Sequence, residues 1–179
     1  GRPSLANPKI LLEVPDEEDT TLIQRVTSKM TGADLAGKDG WYIDLISPVG
    51  GKEGERMVIP NRFERGMLIG TTRIPNSTDV CSPGGKGFVM AVDPFTGSRP
   101  ASTFFDVNGD GKFDEKDMVK VGDQWVPATG LGFGSSPNGP IFVDDDMLVN
   151  LDDGTKKKLD TRGTGSKASR ISWRELLMD

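Results

Sequence analysis

Short apolar runs broken by glycine, proline and asparagine recur along most of the chain. Trp41-Tyr42-Ile43-Asp44-Leu45, Arg56 to Ile59, Met67 to Thr72, Gly87 to Val92, Gln124-Trp125-Val126, Ile141-Phe142-Val143 and Met147 to Leu151 carry the β-branched and aromatic bias of strands and close on turn signals. Runs this short predict strands, because a helix that buries one face spreads its apolar residues over several turns. Residues 1–39 are the least defined. Ile10 to Val14 and Thr21 to Val26 predict short strands, and Asp16-Glu17-Glu18-Asp19 between them predicts a solvated acidic loop able to open a brief helical turn. A helix is expected only at Arg174 to Met178 and, with less support, at Glu115 to Val119. The fold class is all-β.

Two internal echoes suggest how the strands are grouped. Asp44, Asp93 and Asp152 each end an apolar run before a glycine turn, at spacings of 49 and 59 residues. Pro60-Asn61 leads through Arg65-Gly66 into Met67-Leu68-Ile69, as Pro137-Asn138 leads through Asp144-Asp145-Asp146 into Met147-Leu148-Val149. Any all-β chain built of hairpins gives some echoes of this kind. Their period nevertheless lies near the ~40–50 residues of a four-stranded propeller blade. The expectation is a partial β-propeller, about three blades' worth of antiparallel strands, too few to close a ring of at least ~4. The domain layout that follows is a poorly defined segment at 1–39 and a propeller portion at 40–179.

Composition narrows the chemistry. The chain has 179 residues, no histidine and one cysteine, Cys81. This excludes a His-based triad, a His-ligated zinc or haem, a four-cysteine metal site and an internal disulfide. The 27 carboxylates leave oxygen ligands and the hard cations that suit them. A net charge of -5 argues against nucleic acid as a partner, and no apolar run approaches the ~18 residues of a membrane span. The chain begins at Gly1 and so reads as a processed or cut piece. Twenty-three glycines and twelve prolines fit frequent turns.

One motif carries chemistry. Counted from Asp106, oxygen side chains fall at positions 1, 3, 5, 9 and 12 (Asp106, Asn108, Asp110, Asp114 and Asp117), Gly111 stands at position 6, and Lys112 at position 7 offers its backbone carbonyl. That is the spacing of an EF-hand calcium loop, spanning 106–117. Ca2+ takes six to eight oxygens, and so short a loop wraps it only by reversing sharply where glycine sits. Asp117 is one methylene shorter than the usual glutamate, as in dockerin-type loops. Strand-like residues before the loop and Val119-Lys120-Val121-Gly122 after it leave no helix pair to open, so a calmodulin-type sensor is not expected.

The remaining candidates are weaker. Gly130-Leu131-Gly132-Phe133-Gly134 has neither the spacing of a dinucleotide fingerprint nor a following helix and is expected as a loop. Lys156-Lys157-Lys158 reads as a charged edge strand, Asp144-Asp145-Asp146 as a turn, and Cys81 as a loop residue with no neighbour that would lower its pKa except Lys86.

Gly40 to Leu45, Gly54-Glu55-Arg56, Thr71 to Pro75, the Cys81 to Gly85 loop, Asp93 to Gly97, the calcium loop, Gly134 to Pro137 and the closing Arg170 to Leu176 together resemble the C-terminal portion of the PilC/PilY family. The similarity runs over about residues 40–177. These are type IV pilus biogenesis factors and tip-associated adhesins. The resemblance implies part of a modified β-propeller, displayed at the cell surface or pilus tip with a periplasmic or outer-membrane-associated pool. It further implies a loop at Asp106, Asn108, Asp110, Lys112, Asp114 and Asp117 that binds Ca2+ and governs pilus extension and retraction, and hence twitching motility. Minor pilins or other assembly components, a host-surface ligand and the rest of the parent chain are the implied partners. No enzymatic activity is expected. The alternatives are a quinoprotein-like propeller dehydrogenase using Ca2+ to polarise a quinone, and a purely structural, calcium-stabilised extracellular binding module.

Overall fold

A computed structural model describes residues 2–17, 19–75 and 85–163. Cys81 and most of its loop, the closing Arg170 to Leu176 and the helix expected at Arg174 to Met178 lie outside the described residues.

The largest element is an antiparallel sheet of seven strands. Its order is β2 (Ile10–Pro15), β3 (Leu22–Thr27), β12 (Gly130–Phe133), β8 (Gly85–Val92) and β7 (Met67–Pro75), with β5 (Arg56–Met57) and β6 (Arg62–Glu64) sharing the outer edge of β7. A second antiparallel sheet runs β13 (Ile141–Val143), β14 (Asp146–Asn150), β15 (Lys156–Thr161), β9 (Phe105–Asp106). Two smaller pieces complete the set: the hairpin β10 (Met118–Val121) with β11 (Gln124–Pro127), and the parallel pair β1 (Leu5–Ala6) with β4 (Gly40–Trp41). One helical turn, α1 (Gly32–Leu35), is closed by a Thr31–Asp34 capping box. The main sheet takes strands from both sides of residues 39 and 40.

The core lies where the two large sheets meet. Leu22, Ile69, Val89, Ala91, Leu131 and Phe133 of the first pack with Phe105, Met147, Val149 and Leu159 of the second. Because strand side chains alternate, Phe88, Met90 and Val92 point to the opposite face, where Ile23, Trp41, Ile43 and Leu68 cover them. Strand β8 is thus buried on both faces, which explains its unbroken apolar run.

Three local expectations change. Trp41 to Leu45 is not a full strand: only Gly40 and Trp41 pair, with Leu5 and Ala6. Trp41 and Ile43 instead lie on a sheet face, and the Trp41 indole N–H donates to the Pro94 carbonyl at 2.9 Å. Burial gave this segment its apolar pattern, and edge pairing was not required. Gly130 to Phe133, expected as a loop, is the central strand β12 between β3 and β8. A Cβ on Gly130 would sit 2.5 Å from Met90 Sδ, and one on Gly132 2.5 Å from Phe88 Cε1, so the glycines make room for large side chains lying across the strand. Glu115 to Val119 is helical only as a 3-10 turn at Glu115–Asp117, because Val119 enters β10 and packs with Val26 and Val126.

The hairpin echo has a spatial counterpart. β6–β7 and β13–β14 are both tight hairpins, turning at Arg65 (φ 53°) with Gly66 (φ 81°) and at Asp144 (φ 49°). Their tips meet: Arg65 Nη1 lies 3.0 Å from Asp145 Oδ1 and donates to the Thr161 carbonyl at 3.0 Å. In β15, Lys156-Lys157-Lys158 pair with β14 on one side, and β9 reaches only Asp160 and Thr161 on the other. The lysine half is therefore an edge, as the charge suggested.

Candidate metal centre

The acidic loop leaves β9 of the four-stranded sheet at Asp106 and passes into β10 of the separate β10–β11 hairpin just after Asp117. Both ends are fixed by burial: Phe105 and Val107 belong to the main core and Val119 to the neighbouring one. Midway, Arg162 donates from Nη2 to the Phe113 carbonyl at 2.8 Å, stacks over the Phe113 ring and holds the Thr103 carbonyl with Nε at 2.7 Å. The reversal between these anchors uses two left-handed residues, Gly109 (φ 71°) and Gly111 (φ 76°), where a side chain would be strained.

Backbone amides are drawn onto the predicted ligands one after another. Asp106 Oδ1 accepts from Gly109 N at 2.8 Å and Oδ2 from Gly111 N at 2.7 Å. Asn108 Oδ1 accepts from Asp110 N, Asp110 Oδ1 from Lys112 N, and Asp114 Oδ1 from Lys116 N. Asp117 Oδ1 accepts from Val107 N at 2.9 Å and Oδ2 from Asp114 N at 3.0 Å, which closes the loop on itself. Side chains at positions 1 and 12 are almost wholly buried, Asp106 and Asp117 being 1% exposed, whereas Asp110, Lys112 and Asp114 face solvent. Burial pushes the Asp117 carboxyl above its ordinary value, with the Asp106 charge adding to this, while amide bonds from Val107, Asp114 and Asn108 pull it down. Among the described residues neither buried carboxylate has an ion-pair partner; Asp110 alone of the ligand set meets a cation, Lys116 at 3.9 Å. No three or more acidic or cysteine side chains among the described residues are drawn together as a finished cation cage. The structure therefore buries Asp106 and Asp117 within electrostatic reach of one another, links Asp117 to Asp114 through an amide, and leaves Asp110 and Lys112 exposed to solvent.

The donor set nonetheless suits a hard cation. Each Asp106 oxygen takes one amide hydrogen and keeps a further lone pair, both Asp117 oxygens accept amide hydrogens, and the two negative groups lie within electrostatic reach of one another with no ion-pair partner among the described residues.

A second polar centre was invisible in the sequence. Arg25 is wholly buried on β3, with its guanidinium 3.4 Å above the Phe88 ring. It grips Glu55 with Nη1 at 2.6 Å and Nη2 at 2.7 Å, and Nε donates to Glu13 at 2.8 Å. Ser47 Oγ donates to the other Glu13 oxygen at 2.6 Å. The network thereby ties the 47–55 segment to the main sheet. The one available signal was a lone arginine in an apolar run, whose register opposite Gly130 provides the space.

No family model matches the sequence. A type IV pilus biogenesis factor PilY1 homolog of Xylella fastidiosa is 48% identical over 142 residues, covering 79% of this chain and 11% of that protein. PilY1 of Pseudomonas aeruginosa, in strains PAO1 and PAK, is 29% identical over 93 residues, covering 52% of this chain and 8% of each. Among solved structures, the crystal structure of the Pseudomonas aeruginosa PilY1 C-terminal domain matches with a TM-score of 0.71 at 19% identity, over 90% of this chain and 32% of that one. The fold is accordingly that of part of the PilY1 C-terminal domain, all-β with open, mostly antiparallel sheets. With the sequence relatives beside it, the chain belongs to the PilY1 family of type IV pilus biogenesis factors. It spans about a tenth of the length of these curated relatives and about a third of the solved domain.

Proposed function

We propose that this chain is the calcium-binding part of a type IV pilus biogenesis factor and tip adhesin, which regulates pilus extension and retraction and contributes to surface or host-cell attachment. The observation that carries the calcium reading is the pair Asp106 and Asp117, the first and last ligand positions, both buried, both held by backbone amide donors and close enough for the Asp106 charge to act on Asp117. Asp106, Asn108, Asp110, Asp114 and Asp117 would give side-chain oxygens and Lys112 its carbonyl. Bound Ca2+ would supply the positive charge that the buried pair lacks and draw the outer ligands inward.

The chain's own residues then transmit the loop's state. Val107 and Val119 connect the loop to both apolar clusters, and Arg162 connects its middle to the end of β15, so an ordered loop fixes the neighbouring surface. That surface would engage minor pilins, other assembly components or a host ligand at the pilus tip, with a periplasmic or outer-membrane-associated pool. The role is one of binding and assembly, not catalysis. The four-stranded sheet has the size of one propeller blade, and the rest of the parent chain would complete the ring. No helix among the described residues is long and apolar enough to cross a membrane.

Calorimetric titration of Ca2+ into the chelator-treated chain tests the binding step. Saturable binding of one ion, lost in Asp110→Ala, is expected; absence of heat together with no shift in melting temperature overturns it. Piliation and twitching of cells carrying Asp110→Ala in the full-length protein test the regulatory step separately.

A further inference from the structure

Beside the acidic loop lies a groove of about 590 Å3, within the range of small-ligand sites. It runs from the turn between β2 and β3 to the β10–β11 hairpin. Gln24 reaches it from β3 and is 94% buried, being 6% exposed. Its amide nitrogen donates to the Asp16 carboxylate, which fixes the side chain's orientation and assigns the other atom as oxygen. That oxygen, Oε1, is buried and has no hydrogen-bond partner. Buried acceptors are ordinarily paired, so this one calls for a donor from outside the chain.

Two further features define that donor. Trp125 lines the same groove and is 53% exposed, an unusual exposure for a large flat indole. Besides Asp16, which holds Gln24, the polar side chains at the groove are Glu17, Asn108, Glu115, Lys116 and Lys120; three acids stand among two lysines, so charges of both signs line it and no field of one sign selects an anion or a cation. Mixed donors and acceptors around a flat apolar platform suit hydroxyl groups, which both give and take hydrogen bonds. A pyranose ring combines such a polar rim with an apolar C–H face.

We propose that this groove binds a neutral saccharide, with one ring seated on Trp125 and one hydroxyl donating to Gln24 Oε1. Neither residue belongs to the acidic loop; Asn108, Glu115 and Lys116 of that loop form one wall of the groove, and the proposal is made for the loop without a cation.

The test is an amide and indole NMR titration of the 15N-labelled chain, in chelator, with methyl α-mannoside, methyl β-galactoside, N-acetylglucosamine and cello- and malto-oligosaccharides. At least one of these neutral probes is expected to move the Trp125 indole N–H signal saturably, with a dissociation constant of about a millimolar. Trp125→Ala, which removes an exposed ring, and Gln24→Leu should each weaken binding about tenfold or more while the rest of the spectrum keeps its dispersion. No shift with any neutral probe overturns the proposal. So does binding unchanged in Trp125→Ala, or a response confined to charged probes such as N-acetyl-lysine amide or inorganic phosphate. Since calcium is absent throughout, failure here leaves the calorimetric test of the loop untouched.

Discussion

Replacing Arg25 by methionine removes the most deeply buried charge in the described chain while keeping much of its length. In the native protein the guanidinium is wholly buried, satisfies both Glu55 oxygens and one of Glu13, and rests on Phe88. The side chains of Glu55 and Glu13 are only 2% and 9% exposed, so the variant strands two carboxylates with little water near them. Breaking a buried pair from one side costs about 3–5 kcal/mol, because the remaining charge is uncompensated. Ser47 still serves one Glu13 oxygen, while Glu55 loses both of its guanidinium contacts. At ~2–4 °C per kcal/mol for a chain of this size, the melting temperature should fall by roughly 6–20 °C. Urea unfolding followed by tryptophan fluorescence gives the same quantity from the midpoint, provided the slope is unchanged. A triple variant, Arg25→Met with Glu13→Leu and Glu55→Met, should recover most of the loss, since apolar replacement of a whole buried ion cluster is often neutral or better. A loss below about 1 kcal/mol in Arg25→Met would refute the reasoning, because the network would then contribute no more than an exposed pair.

Other outcomes follow from the same geometry. Gly87→Ala should destabilise by about 1–3 kcal/mol, since its Cβ would drive into the Thr72 backbone carbonyl, which has no freedom to swing away; thermal melts measure it. Under the calcium reading, Ca2+ at a hundred times its dissociation constant should stabilise the chain by about 2.7 kcal/mol and chelator should reverse this, with Asp106→Asn insensitive to both. The Asp19 carboxyl is held below its ordinary value, chiefly by the Thr21 hydroxyl, with burial opposing and Lys157 assisting. Its folded value lies below its unfolded one, so its stabilising contribution is complete above about pH 4 and is lost as the pH falls through the lowered value. Wild type should therefore exceed Asp19→Asn in urea midpoint near neutrality, and that gap should close under acid conditions.

Strands with an apolar face were legible wherever burial and pairing coincide, as in β7, β8 and β14, because alternation or a continuous run encodes both. They separate at Trp41 to Leu45, where side chains are half-buried but the ladder ends at Trp41, and at β12, where glycines report the bulk of Met90 and Phe88 on neighbouring positions. No single-residue pattern carries that second kind of information. The acidic loop was readable because its pattern is local, every predicted ligand lying within twelve consecutive positions. Arg25 was not, since its partners come from residues 12 and 30 positions away and its ring contact from β8. Gln24 and Trp125 were likewise brought to one groove only by the tertiary fold.

The late arrival of β12 has a bearing on how the protein comes to be made. Thr27 and Thr129 are hydrogen-bonded to each other across 102 positions of sequence, and the strand that follows Thr129 is the one that joins β3 to β8. A chain emerging from its N-terminus can form the β2–β3 and β7–β8 ladders locally, yet each keeps an unsatisfied inner edge until residues 130–133 have been synthesised. Non-local pairing of this sort is slow, and open strand edges invite pairing with other molecules in the meantime. That interval would be the time at which a chaperone able to cover two β edges matters most.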